Sequence, residues 1–287
     1  MKEMKEDQMN SSLVLAIVTF GYGMSAFLYL FSCIFKKPAV SKPAQWIAIA
    51  GAGGNGAGII MRWTESYALG IGHAPFSNLY ESLVFFAWTI VMVFLLIERK
   101  YKVPVLGAVS VPLAFWALAY ASLSPNITKQ IQPLIPALQS NWLIAHVITC
   151  FVGYAAFAVG CGVSILYLLK KRKQRVTARL TDLLPDGEVM DSISYQLVMY
   201  GFLLLTIGIV SGAVWANSAW GRYWGWDPKE TWSLITWIIY AVLLHARNMR
   251  GWRGRKIAYL SIIGFLAVLF TYFGVNYLPG LHSYGQV

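Results

Sequence analysis

Charge is what this sequence has least of. Only 12% of its 287 residues are charged, and just 12 are acidic. An ordinary soluble domain carries about twice that share, so a water-soluble globule is excluded. Cysteine is scarce too. Cys33, Cys150 and Cys161 are the whole supply, with no Cys-x-x-Cys and no Cys-x-x-Cys-His. That removes a disulfide framework, a dithiol redox motif and a covalent haem-attachment motif. Cys150 and Cys161 share a helix face but stand about 16 Å apart at 1.5 Å per residue, too far for a bridge. They read as small apolar residues. Histidine is limited to His73, His146, His245 and His282. There is no repeat of fixed period and no soluble domain.

Apolar runs fill the space these absences leave. The chain is 57% hydrophobic, and about 20 apolar residues suffice to cross a bilayer as a helix. Eight stretches qualify, near residues 11–35, 44–62, 79–97, 104–122, 141–169, 194–217, 231–247 and 257–278. The expected fold is an all-α integral membrane protein, a bundle of about eight transmembrane helices forming one domain over 1–287. The net charge of +11 is not spread as nucleic-acid binding requires. Seventeen of the 23 basic residues follow the first, third, fifth and seventh helices: Lys36, Lys37, Lys42; Arg99, Lys100, Lys102; Lys170, Lys171, Arg172, Lys173, Arg175, Arg179; and Arg247, Arg250, Arg253, Arg255, Lys256. This is positive-inside patterning, with contact to anionic lipid as its further consequence. It sets both termini on the outer, periplasmic side. The acidic-leaning N-terminus and its long apolar run argue against a cleaved signal peptide.

Local signals refine this picture. Gly51-Ala-Gly53-Gly-Asn-Gly56-Ala-Gly58 matches a dinucleotide fingerprint by letter, but no strand precedes it. Small residues in a membrane helix serve close packing. Asp227-Pro228-Lys-Glu230 reads as a capping box with proline at the first helical position. Asn78-Leu-Tyr-Glu81 repeats the pattern. The inner connection near 170–192 is basic, then acidic, and reads as a solvated loop.

Tryptophan is the concentrated feature. Six of twelve lie in the 23 residues from Trp215 to Trp237. The stretch 215–232 falls between two apolar runs and reads as an aqueous outer loop. A membrane-interface belt would scatter its tryptophans. A cluster suits a platform for a flat hydrophobic ligand with polar edges. His146 and His282 fall at the same outer level. Imidazole is a standard axial ligand of haem iron, and a histidine within a membrane is costly unless paired or ligating. His245 lies about 20 Å deeper than Trp232 at 1.5 Å per residue. Ser233, Trp237, Ala241 and His245 recur every fourth residue on one face. That stripe reads equally as a packing seam or as a wall along a ligand path.

The segment Trp220-Gly-Arg-Tyr-Trp224-Gly-Trp226-Asp227-Pro228-Lys-Glu230-Thr-Trp232 resembles the tryptophan-rich WWD signature of haem-handling membrane proteins. Within that superfamily the chain resembles the CcsA family of the System II cytochrome c synthase. Four further motifs carry the likeness: Gly72-His73-Ala-Pro75-Phe-Ser-Asn78-Leu-Tyr-Glu81-Ser, Leu138-Gln-Ser-Asn-Trp142-Leu-Ile-Ala-His146, Leu243-Leu-His245-Ala-Arg247 and Gly280-Leu-His282-Ser-Tyr-Gly. The resemblance implies haem transport and its presentation for thioether attachment to apocytochrome c Cys-x-x-Cys-His motifs, a lyase-type activity exercised with a CcsB partner. It implies haem b as the substrate-ligand, with His146 and His282 as the outer iron ligands and His245 as an iron ligand within the membrane. Trp220, Trp224, Trp226, Trp232 and Trp237 would line the porphyrin, and Asp227 would fix the loop. Arg222 or Lys229 would meet the propionates. His73 orders a loop or contacts haem. The implied location is a bacterial plasma membrane or a thylakoid, with the active face outward. Two other readings stand beside this one, an electron-transferring b-type cytochrome and a haem exporter without attachment activity.

Overall fold

The apolar runs fold as helices, and their ends fall where the sequence supplies caps. The computed structural model describes residues 10–171 and 183–280. His282 lies outside the described residues, as do the basic residues Arg172, Lys173, Arg175 and Arg179. Eight long helices occur among the described residues: α1 (Ser11–Ile34), α2 (Ser41–Ala68), α3 (Leu79–Tyr101), α4 (Gly107–Leu123), α5 (Asn141–Lys171), α6 (Gly187–Trp220), α7 (Pro228–Arg250) and α8 (Arg255–Tyr272). Short 3₁₀ turns stand before α2, α4 and α5 and after α8. Asn10 caps α1 by accepting from the Leu13 amide at 2.9 Å. Asn78 caps α3 by accepting from Glu81 at 2.9 Å.

This is an all-α membrane protein. Six of these helices, α1, α3, α4 with its leading turn, α5, α6 and α8 with its trailing turn, are long and apolar enough to cross a bilayer. The other two sit in the same bundle but are diluted by different residues. α2 is rich in glycine and alanine and buries Arg62 and Asn55. α7 carries Lys229 and Glu230 at one end and Arg247 and Arg250 at the other.

α1 to α4 pack as one group and α5 to α8 as another, joined through α3 against α5. α5 and α6 share the most extensive helix pairing. The glycine run of α2 serves packing. A Cβ on Gly51 would sit 2.6 Å from the Tyr22 ring, and one on Gly58 would sit 2.7 Å from Leu15. Leu15, Val18 and Tyr22 on α1 fill the grooves those glycines leave. The opposite face of α1 exposes Leu13, Ile17, Phe20, Met24, Phe27 and Ile34, the stripe a bilayer covers.

The helices alternate in direction, so the bundle has two unlike ends. One end is basic. There Arg247 pairs with Asp191 at 2.7 Å, Asp191 also accepts from the Gly254 amide, and Lys100 donates to Gln196 at 2.9 Å. The other end is aromatic. There Arg62 pairs with Glu81 at 2.8 Å, both side chains almost fully buried. The second arm of Arg62 donates to the Lys129 carbonyl at 2.7 Å, tying α2, α3 and the connection before α5 together.

Candidate functional site

His146 stands in the second turn of α5, at the aromatic end. Its Nδ1 lies 2.7 Å from the carbonyl oxygen of Gly208 on α6. A carbonyl can only accept, so Nδ1 carries the proton and Nε2 keeps its lone pair. Among the described residues Nε2 has no hydrogen-bond partner. The ring occupies a hollow in α6. A Cβ added to Gly212 would lie 2.6 Å from the His146 ring, and one on Gly208 would lie 2.5 Å from the Cys150 sulfur. Trp215, one turn further along α6, stacks on the imidazole with centroids 5.9 Å apart and planes 21° from parallel. Its indole N–H donates to the Ala137 carbonyl at 2.8 Å. Trp220 follows, its ring centroid 5.0 Å from that of Trp215.

The tryptophan segment is less of a loop than its composition suggests. α6 continues through Trp215 to Trp220, and α7 begins at Pro228. Trp232 and Trp237 are therefore helical, and only Trp224 and Trp226 sit in the seven-residue turn 221–227. Helix persists because alanine, serine and asparagine in Trp215–Trp220 present no break until Gly221, which closes α6 at φ +72°. The turn is tightly held. Asp227 accepts from the Lys229 amide at 2.9 Å. Glu230 Oε2 accepts from the Gly225 amide at 2.7 Å and the Asp227 amide at 3.2 Å, completing the capping box. Trp226 adopts φ +58°, a left-handed backbone that bulky residues avoid, and its side chain is 69% exposed. Trp224 meets it edge-on at 5.7 Å. Gly280, the last described residue, comes back to this turn: a Cβ there would lie 2.5 Å from Asp227 Oδ2.

The other candidates divide by position. Trp232 packs on Phe270 at 4.2 Å. Trp237 donates its indole N–H to Thr206 on α6 at 2.9 Å and lies against Phe202. Arg222 is exposed, its guanidinium folded across Gly225, where a Cβ would stand 2.6 Å from it. Lys229 reaches Asn276 at 3.5 Å. His73 is buried, with Nδ1 2.8 Å from the Ala74 carbonyl and Nε2 2.9 Å from the Gln132 carbonyl. With a carbonyl beside each nitrogen it links its own loop to the segment at Gln132. His245 is remote from His146. It is exposed near the basic end of α7, in an open groove of about 500 Å³ lined by Ala241, Val242, His245, Ala246, Arg250 and Trp252. Along the stripe Ser233, Trp237, Ala241, His245 the first three are half-buried, with Trp237 packed on α6, and only His245 is exposed. The buried side of α7 is Thr236, Tyr240, Leu243 and Ala246.

The aromatic end offers one imidazole lone pair of fixed tautomer, an adjoining run of indoles, a tightly bonded turn presenting a further indole, an exposed cation in Arg222 and a half-buried one in Lys229. Such a set can hold a planar amphiphile by stacking and ligate a metal at its centre. Among the described residues no group of three or more His, Cys, Asp or Glu could hold a metal ion on its own. Two contributors carry no signal as single letters, and the stacking role of a third, Trp215, is not readable from its place in the tryptophan cluster. The Gly208 carbonyl, the hollow at Gly212 and the stacked Trp215 become legible only when the Gly208-x-x-x-Gly212 spacing on one helix is set against a histidine on its neighbour.

A family model described as Cytochrome C assembly protein matches residues 76–282. The chain is similar to the cytochrome c biogenesis protein CcsA of Parasynechococcus marenigrum (strain WH8102), 43% identical over 252 residues that cover 79% of this chain and 81% of the relative. It is similar to CcsA of Synechococcus sp. (strain CC9311), 39% identical over 301 residues covering 92% and 97%. Among solved structures it is similar in fold to a chain titled Cytochrome c Heme Lyase CcmF, with a TM-score of 0.68 at 15% identity. That match covers 96% of this chain and 52% of the other, so the chain spans about half of that protein's length.

Proposed function

This chain belongs to the Cytochrome C assembly protein family and acts in cytochrome c biogenesis as a multi-pass membrane protein; on that premise we propose that it carries haem outward and presents it for covalent attachment. The haem sits at the aromatic end, ligated by His146 and His282, with the tryptophans of α6, the 221–227 turn and α7 against the porphyrin. The basic end faces the cytoplasm, a placement its cation excess supports, and the aromatic end faces the periplasm or its equivalent. The location is a bacterial plasma membrane or a thylakoid.

One observation carries the reading: the His146 imidazole is held through Nδ1, leaving Nε2 without a hydrogen-bond partner among the described residues, beside Trp215 at the end that bears the tryptophan turn. A hydrogen bond from the remote nitrogen to a carbonyl is the arrangement that orients a metal-ligating histidine. Gly280 against Asp227 supports convergence. His282 follows two residues later, a reach of at most about 7 Å from that point. In the attachment reaction each cysteine S–H of an apocytochrome Cys-x-x-Cys-His motif adds across one haem vinyl C=C. The proton goes to one vinyl carbon and sulfur to the other, so no oxidant is consumed. The chain's part is orientation: ligating iron, excluding water from the ring faces and leaving the vinyl edge open. His245, exposed in its groove with Arg250 and Trp252, receives haem b from the inner side together with a ligand from a CcsB-type partner. His73 orders the outer loops.

Co-expression with a CcsB-type partner and a secreted reporter bearing Cys-x-x-Cys-His tests this. Haem that stays on the reporter after denaturation is the expected result, lost when His146 is replaced. Attachment that proceeds equally without this chain contradicts it, and free haem released with none on the reporter supports export alone.

A further inference from the structure

His146 owes its direction to two missing side chains. In the middle of a helix each carbonyl already accepts one bond from the amide four residues on, and the side chains around it ordinarily keep a donor from a neighbouring helix at a distance. Gly208 and Gly212 are both bare, one helical turn apart on the face of α6 that meets α5. The Gly208 oxygen has a second lone pair, and the His146 Nδ1–H approaches it at 2.7 Å, closer than the Ser211 hydroxyl, which donates to Ile207 at 2.8 Å and reaches Gly208 at 3.1 Å. The ring then lies where a Gly212 side chain would be. A Cβ there would stand 2.6 Å from Nδ1 and 2.8 Å from Cε1, with no flexible tip to yield. Trp215 closes the hollow from the next turn.

We propose that Gly208 and Gly212 form a carbonyl notch that positions His146, fixing its Nδ1–H tautomer and aiming Nε2 at the iron of the bound haem. The proposal rests on the reading of His146 as an iron ligand and deepens it. Both glycines are positioning residues, acting through the imidazole. A packing role alone would be shared by Gly201, which lies on the same helix and meets the same partner. A Cβ at Gly201 would lie 2.7 Å from Phe157 and 3.1 Å from the Gly153 carbonyl, with no histidine involved. Gly201 therefore separates helix packing from ligand positioning.

The test has two arms, both on the full-length chain with haem bound. In the first, Gly212→Ala is compared with Gly201→Ala. The notch predicts that Gly212→Ala weakens haem binding about 10–100-fold, the range for losing a ligand's supporting bond, and moves the haem absorption bands. Gly201→Ala lowers protein yield but leaves the bands of the surviving protein in place. In the second, His146→Gly opens the hollow to added ligands. 4-Methylimidazole retains an N–H for the Gly208 carbonyl, and 1-methylimidazole of equal size does not. The first should restore the wild-type spectrum at a concentration at least about tenfold lower. This arm does not need Gly212→Ala to fold. Equal rescue by the two ligands overturns the notch while leaving His146 a ligand. A His146→Gly protein with the wild-type spectrum and no response to either ligand overturns the ligand reading itself.

Discussion

A left-handed backbone at Trp226 costs the turn about 1–3 kcal/mol relative to glycine. The bonds from Gly225 and Asp227 to Glu230 hold it there. In this conformation the indole stands exposed. Trp226→Gly should therefore keep or raise thermal stability while lowering haem occupancy, read by differential scanning and by the haem-to-protein ratio. A variant that loses stability and retains haem would show the indole to be structural. The sequence reports residue roles unevenly. The caps at Asn78 and Asp227 are local patterns and are legible, because partner and cap lie within three residues. The notch at Gly208 joins positions 62 residues apart, and only packing brings them together. The same limit applies to His73, whose second nitrogen finds Gln132 through the fold.

At the scale of the element, α7 links the turn to the groove at the other end. Its first turn is fixed by Asp227, whose side chain both caps the helix and lies under Gly280. Asparagine caps as well as aspartate, and alanine costs about 0.5–2 kcal/mol. Asp227→Asn should retain haem, and Asp227→Ala should lose it while the protein still inserts. Equal haem in both variants would make the cap irrelevant to the site. Helix positions were readable from apolar length, but their ends ran further than hydropathy marks. α6 extends to Trp220 because nothing before Gly221 stops it. The tryptophan platform therefore stands on two helix ends and a short turn. α2 and α7 fall below the apolar standard of their neighbours, since glycine packing in one and terminal charges in the other serve contacts that a hydropathy sum ignores.

Over the whole molecule, two ends of opposite character face two compartments. All three native cysteines are buried, so single cysteines can report sidedness. Tyr223→Cys at the aromatic end and Met249→Cys at the basic end replace exposed residues. A membrane-impermeant maleimide should label the first from outside intact cells and the second only after lysis. The reverse pattern would invert the topology. The Arg62–Glu81 pair joins α2 and α3 at the aromatic end. Removing one partner leaves a buried charge, and Arg62→Met should cost about 3–5 kcal/mol, seen as a lower unfolding temperature in detergent. No loss would mean that water or lipid reaches Glu81. His245→Ala addresses transfer between the ends. It should leave the outer ligands intact yet lower the haem they hold, measured as haem per purified protein.

The most direct measurement is the haem spectrum of the purified full-length protein beside His146→Ala and His282→Ala. The account predicts low-spin iron with two imidazole ligands in the parent, and loss of that signature in each variant while both remain inserted. Identical spectra and haem content in all three proteins would contradict it.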